Sequence, residues 1–241
     1  MANFSKNQTH RAGKAIKQLL CAAALVMGSV AQAGVLNFEG QVDSPFVFAG
    51  DHIKIGSYWI ESYGGSQTSD LVGAFVDGSD PASCFGVSCP VNNSSQYYTG
   101  LDDGYFYFGK NDDSLFQLGS LRASFIGNGQ ASFPAVAGLL VLQGFDANGS
   151  ALGAARQLGL SGPVGGQFQF GTFDLSSIKE RFAFVRVLGY ACDATGNCNR
   201  SSNLANFAID DIVTVPEPGS LALFGLGLAG FGLASRRRRV R

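Results

Sequence analysis

Residues 136–160, VAGLLVLQGFDANGSALGAARQLGL, decide the fold. Two apolar runs, 136–145 and 151–160, flank Asp146-Ala147-Asn148-Gly149. Asn-Gly between such runs is the strongest short-range hairpin signal, because a tight turn needs residues that tolerate φ > 0. Working outward, the same grammar repeats. Residues 35–39 open a strand, 53–63 (IKIGSYWIESY) are β-branched and aromatic, and 71–76 are a short apolar run. A loop rich in Cys, Ser and Asn covers 83–96, and strands follow at 105–109, 115–118 and 121–126. Phe168, Phe170 and Phe173 alternate through 167–175, with Gly171 at a bulge. Residues 182–188 (FAFVRVL) and 207–215 (FAIDDIVTV) complete the set. Short strands with Gly-rich turns and no helical periodicity predict an all-β fold, an antiparallel β-sandwich of jelly-roll type.

Both ends of the chain read differently. Lys6, Arg11, Lys14 and Lys17 precede an apolar run at 19–30, and Ala31-Gln32-Ala33 follows it. That order is a signal peptide over 1–33, with Gly34 the first mature residue. At the other end, Pro216-Glu217-Pro218 is stiff and extended, since proline fixes φ and donates no hydrogen bond. An uncharged span of Leu, Gly, Ala and Phe runs from 219 to 235, and Arg236–Arg239 with Arg241 follow. The span is short for an independent membrane helix, which needs about 20 residues, and suits a temporary hold.

This tail closely resembles the PEP-CTERM sorting signal of Gram-negative bacteria that make extracellular polymer. The resemblance implies export, a transient hold in the inner membrane, and processing by an exosortase near Pro216, Glu217 and Pro218. It implies a destination at the cell surface or in an exopolysaccharide biofilm matrix, and leaves the body, residues 34–214, to be read by itself. The sorting region is 215–241.

The body holds 8 of the 17 Lys and Arg and 17 of the 18 Asp and Glu, a net charge of about −9. That argues against nucleic acid or anionic lipid and favours divalent cations or neutral polymers such as glycans. It also keeps four cysteines, Cys84, Cys89, Cys192 and Cys198. In an exported domain an even number reads as disulfides, with the local pairs Cys84–Cys89 and Cys192–Cys198 preferred. A four-cysteine zinc site is the alternative, although these spacings lack the tight C-x₂-C turn.

A second, weaker resemblance rests on Asn37-Phe38-Glu39 in the opening strand and Phe207-Ala-Ile-Asp210-Asp211-Ile-Val in the closing one. These look like the terminal strands of jelly-roll carbohydrate-binding modules. The likeness implies a structural calcium at Glu39 and Asp210, with Asp211 as the alternate ligand. Independently, Trp59, the only Trp, and Asp102, Asp103, Tyr105 and Tyr107 are the candidate ligand-binding residues. Rings stack on sugar faces while carboxylates accept hydroxyl hydrogen bonds. Phe106 and Phe108 share the other face of their strand and are expected in the core.

Enzyme chemistry has little support. His52 is the only His of the body, and no G-x-S-x-G elbow, Walker loop or dinucleotide fingerprint occurs. The expectation is a non-enzymatic, exported surface or matrix protein, structural or adhesive, that binds glycan. A secreted carbohydrate-active enzyme working through two carboxylates is the alternative.

Overall fold

A computed structural model describes residues 33–41, 45–64, 70–84, 86–200 and 203–215. The expected signal peptide, except Ala33, and the tail carrying Pro216, Glu217 and Pro218 lie outside the described residues. The chain forms β1 (Gly34–Leu36), β2 (Phe46–Phe48), β3 (His52–Ile55), β4 (Tyr58–Tyr63) and β5 (Leu71–Asp77). After a 3₁₀ turn at Pro81–Cys84 come β6 (Gln96–Gly100), β7 (Tyr105–Lys110), β8 (Gln117–Phe125), β9 (Val136–Phe145) and β10 (Ala151–Ser161). β11 (Gly171–Asp174), β12 (Phe184–Cys192), β13 (Cys198–Asn199) and β14 (Phe207–Val215) follow.

The strands make two antiparallel sheets packed as a jelly-roll-type sandwich. The first runs β11-β8-β14-β6-β5-β2, with β1 also on β14; the second runs β10-β9-β12-β7-β4-β3, with β13 on β12. The 136–160 stretch is the expected hairpin, β9 paired with β10. Three expectations change. Residues 53–63 are a hairpin rather than one strand, because Gly56 takes a left-handed φ of 56° and reverses the chain between β3 and β4. Runs 115–118 and 121–126 merge into β8, whose register against β14 shifts at Gly119, so Leu118 and Leu121 both face inward. Only 171–174 of the 167–175 stretch is strand, yet Phe168 and Phe170 are buried beside it.

Period-2 alternation fills the space between the sheets. Ile60, Phe106, Phe108, Val185 and Val187 of the second sheet meet Leu36, Tyr98, Phe125, Phe207 and Ile209 of the first. Each such side chain contributes about 1.5–3 kcal/mol by leaving water. Tyr98 and Phe106 meet edge-on, centroids 4.8 Å apart. Buried hydroxyls pair across the gap, Tyr58 Oη with Thr214 Oγ1 at 2.6 Å and Ser62 Oγ with Tyr98 Oη at 3.1 Å.

The two outer faces differ. On the first sheet, Val76, Tyr97, Ala208 and Phe170 are buried beneath Val87 and the Cys84–Cys89 disulfide. The Cys192–Cys198 disulfide joins residues directly opposite in the β12–β13 pair. Both pairings are the local ones expected. The outer face of the second sheet instead carries half-buried aromatic rings, and these define the candidate site.

Candidate functional site

The site follows from alternation along three strands. In β4, Tyr58, Ile60 and Ser62 are buried, which turns Trp59, Glu61 and Tyr63 outward. In β7, Phe106 and Phe108 are fully buried and Tyr105 and Tyr107 face out; in β12, Phe184 and Arg186 flank buried Val185. Register then lines these up across the sheet. Trp59 lies opposite Gly109, Gly109 opposite Phe184, and Phe184 opposite Phe145. In the next row Glu61, Tyr107, Arg186 and Gln143 succeed one another, and Tyr63 faces Tyr105. The result is an open groove of about 540 Å³ lined by Trp59, Glu61, Tyr63, Tyr105, Tyr107, Phe145, Gly149 and Phe184.

Packing among the rings keeps them in place. Phe145 and Phe184 stack at 5.1 Å, Tyr63 and Tyr105 at 5.8 Å, and His52 lies against Trp59 at 5.7 Å. The indole crosses the sheet over Gly109, where a Cβ would stand 2.6 Å from Trp59 Cζ2. Tyr63 Oη donates to Glu61 Oε1 at 2.5 Å, and this bond, with burial, pushes the Tyr63 phenol up to about 12. Two arginines flank the rings. The Arg186 guanidinium lies 5.8 Å from the Phe145 centroid, and that of Arg200 lies 5.1 Å from Tyr105 while donating to the Asp103 carbonyl. Flat rings beside a few polar groups suit a ligand with both apolar faces and hydroxyls.

The structure brings Trp59, Tyr105 and Tyr107 together here. Asp102 and Asp103 are elsewhere, in the turn between β6 and β7 at φ of 53° and 60°. Asp103 accepts from the backbone N–H groups of Asn203 and Ala205 at 3.2 and 2.9 Å, so its carboxylate holds a loop. Burial, then the neighbouring charge of Asp103, pushes the Asp102 carboxyl up. Glu61, Tyr63, Phe145 and Phe184 were missed by sequence reasoning. Alternation in 58–63 would have placed Glu61 and Tyr63 beside Trp59 had the Gly56 turn been recognised. Phe145 and Phe184 meet only through the register of β9 and β12, which are not consecutive in sequence.

The residues proposed for calcium grip one loop from two sides. Buried Asp210 accepts at Oδ2 from Asn93 Nδ2 (2.8 Å) and Ser95 Oγ (2.9 Å), and at Oδ1 from the Asp211 N–H (2.8 Å). Glu39 Oε1 accepts from the Gln96 N–H at 3.2 Å. Asp211 sits at the β14 bulge with φ of 49° and pairs with Arg122 at 3.5 Å. Asp210 therefore presents its oxygens to hydrogen-bond donors, whereas a cation needs a shell of acceptors. Burial pushes its carboxyl up, partly offset by the bonds from Asn93, Ser95 and Asp211.

Comparison with known proteins bears first on the tail. A family model for the PEP-CTERM protein-sorting motif matches residues 214–239. The chain carries a PEP-CTERM sorting motif. It is thereby an exosortase-targeted extracellular protein, sorted by way of the membrane to the cell surface. The PEP-CTERM match takes in only Thr214 and Val215 of β14 and leaves the rest of the sandwich unmatched. No curated protein matches the chain in sequence. Among solved structures, a DUF4465 family protein from Bacteroides caccae aligns with a TM-score of 0.52 at 12% identity, over 77% of this chain and 100% of that one. That likeness is one of fold alone. The C-terminal family 22 carbohydrate-binding module of Clostridium thermocellum Xyn10B aligns over 73% of this chain and 96% of its own, at 12% identity and a TM-score of 0.30. At that score the likeness supports no argument.

Proposed function

We propose that this is a cell-surface or matrix protein whose β-sandwich binds glycan in the aromatic groove of its second sheet. The carrying observation is the groove itself, with Trp59, Tyr63, Tyr105, Tyr107, Phe145 and Phe184 converging on about 540 Å³ of open space. Soluble proteins seldom leave so many rings on one face unless something covers them. Sugars match the mixture of flat apolar faces and polar rims. Glu61 is the only carboxylate among the lining residues. Hydrolysis by the usual mechanism needs two carboxylates, which supports retention without cleavage.

The wider reading goes with this. A signal peptide over 1–33 starts export in a Gram-negative host, the body is 34–214, and the 215–241 tail holds the chain briefly in the inner membrane. Residence in an exopolysaccharide biofilm places the groove among its ligands. Calcium at Glu39 and Asp210 would have to displace the Asn93 and Ser95 donors. Its check is a melting temperature raised by Ca²⁺ but not Mg²⁺, with the difference lost in Asp210→Asn.

Affinity electrophoresis through gels containing polysaccharide tests the groove. The protein should be retarded, Trp59→Ala and Tyr107→Ala should migrate freely, and no new reducing ends should form. Unretarded migration in every polysaccharide would remove the glycan reading, and reducing ends lost in Glu61→Gln would establish an enzyme.

A further inference from the structure

Among the described residues, two buried side-chain polar atoms lack a hydrogen-bond partner, Arg186 Nε and Arg200 Nε. Both belong to arginines stacked on rings that line the same groove, Phe145 and Tyr105. A third stacked arginine serves as an internal comparison. Arg122 lies 5.2 Å over Phe170 on the first sheet, donates to the Asn92 carbonyl at 3.1 Å and pairs with Asp211 at 3.5 Å. The arginine away from the groove has two partners, while at the groove Arg186 and Arg200 each keep Nε without one, although Arg200 also donates to the Asp103 carbonyl. Leaving such a donor unsatisfied is unfavourable, and more so for a charged group.

We infer that the groove takes an acidic polysaccharide, one whose sugar units carry carboxylates that pair with Arg186 and Arg200. This rests on the glycan reading above and names the class of glycan. A guanidinium offers a planar fork of donors that matches a carboxylate, and its charge does not depend on pH. The two arginines lie against different rings, Arg200 against Tyr105 and Arg186 against Phe145, and Tyr107 is 6.0 Å from the first ring and 6.1 Å from the second. Acids on separate units of one chain fit that spacing, whereas a single small acid would meet only one of them. The body's net charge of about −9 opposes anions at long range. Screening over a Debye length of about 8 Å leaves the local charges to decide. The nearest opposing carboxylate in the row of Arg186, Glu61, is on β4, and β7 separates it from Arg186 on β12; Asp103, which adjoins Arg200, has its carboxylate engaged by the Asn203 and Ala205 N–H groups. Two strand spacings are about 10 Å, beyond that length. Glu61 is also already engaged by Tyr63.

Trp59, the only Trp, lines the groove, so its fluorescence reports occupancy in the full-length protein. The titrants are polygalacturonate, alginate and hyaluronate, then methyl-esterified polygalacturonate, a neutral β-glucan, and poly-glutamate. At least one uronate polymer should bind roughly tenfold or more tighter than the neutral glucan, and more weakly as salt rises. If that polymer is polygalacturonate, its methyl ester should lose the advantage. Arg186→Gln and Arg200→Gln should each reduce affinity for the uronate polymer about tenfold, a clearly larger loss than either causes for the neutral glucan. Arg186 is on the outer face of β12, so its variant should keep the melting temperature, whereas Arg200→Gln also loses the bond to the Asp103 carbonyl; if that variant misfolds, Arg186→Gln and the neutral comparison still decide. Neutral glucan bound as tightly as every uronate polymer would overturn the acidic assignment while sparing the glycan reading. Binding to no polysaccharide would end both. Equal binding of poly-glutamate would mean that charge alone is recognised, and would overturn the choice of a sugar polymer.

Discussion

Gly109 has no side chain where the Trp59 indole crosses the sheet, so a missing methyl group shapes the groove. An alanine there would place Cβ 2.6 Å from Trp59 Cζ2 and 3.0 Å from the Ala183 carbonyl oxygen. The indole must then tilt. Gly109→Ala is expected to shift Trp59 emission and abolish retardation in polysaccharide gels while reducing stability by about 1–2 kcal/mol. Unchanged emission with full retardation would show that the indole does not depend on this gap. Asp210 is a residue of the opposite kind, buried and hydrogen-bonded to a neighbouring loop. In Asp210→Asn one oxygen becomes an NH₂ that faces either Asn93 and Ser95 or the Asp211 N–H, donor against donor. The loss should be about 1–3 kcal/mol in urea unfolding, with groove binding intact below the new midpoint. Because burial raises the Asp210 carboxyl in the folded chain, its contribution is fully present below the unfolded value near 4. It is lost as pH rises through the folded value.

At the scale of elements, four of the body's 17 acidic side chains close turns. Asp77, Asp112 and Asp193 each accept from the backbone N–H and the hydroxyl two residues on, at Ser79, Ser114 and Thr195. Asp174 accepts from the Ser176 N–H at 2.9 Å. In all four the hydroxyl bond is the leading cause that holds the carboxyl below its ordinary value. The sign is opposite to that of Asp210: this stability is present above about pH 4 and lost as pH falls through the lower folded values. The melting temperature should fall on acidification below pH 4, and changing Ser79, Ser114, Ser176 and Thr195 together to Ala should flatten that fall. An unaltered acid limb would assign acid unfolding to other groups. The D-x-S/T spacing was visible in the sequence, yet the charge excess was read as favouring cations, since spacing does not show which oxygens a turn already occupies. Hairpin 136–160 and strand 207–215 were legible because apolar periodicity is local. Their neighbours were not, as β14 lies between β8 on one side and β6 and β1 on the other, all distant in sequence. The groove was legible only in part for the same reason: Tyr105 and Tyr107 follow from alternation, but their meeting with Phe145 and Phe184 is a matter of register.

At the scale of the whole molecule, the body is closed by its own two ends. β1 pairs with the last residues of β14, Gly34 opposite Thr214 and Leu36 opposite Ile212, and Thr214 Oγ1 is bonded to Tyr58 of the other sheet. The sorting motif therefore starts within the sandwich: its match opens at Thr214, and Pro216-Glu217-Pro218 follows one residue after β14 ends at Val215. Proline has no N–H to donate to a ladder, so Pro216 cannot prolong the β14 pairing. The described fold thus ends where the tripeptide begins. Replacing Pro216, Glu217 and Pro218 with alanine should leave export and the sandwich intact, as judged by oxidised cysteines and an unchanged melting temperature. The apolar span and the arginines 236–239 persist in that variant. The full-length chain should consequently accumulate in the inner membrane instead of reaching the surface. Fractionation that finds a shortened protein outside the cell in normal amount would show that processing reads the span or the arginines rather than the tripeptide.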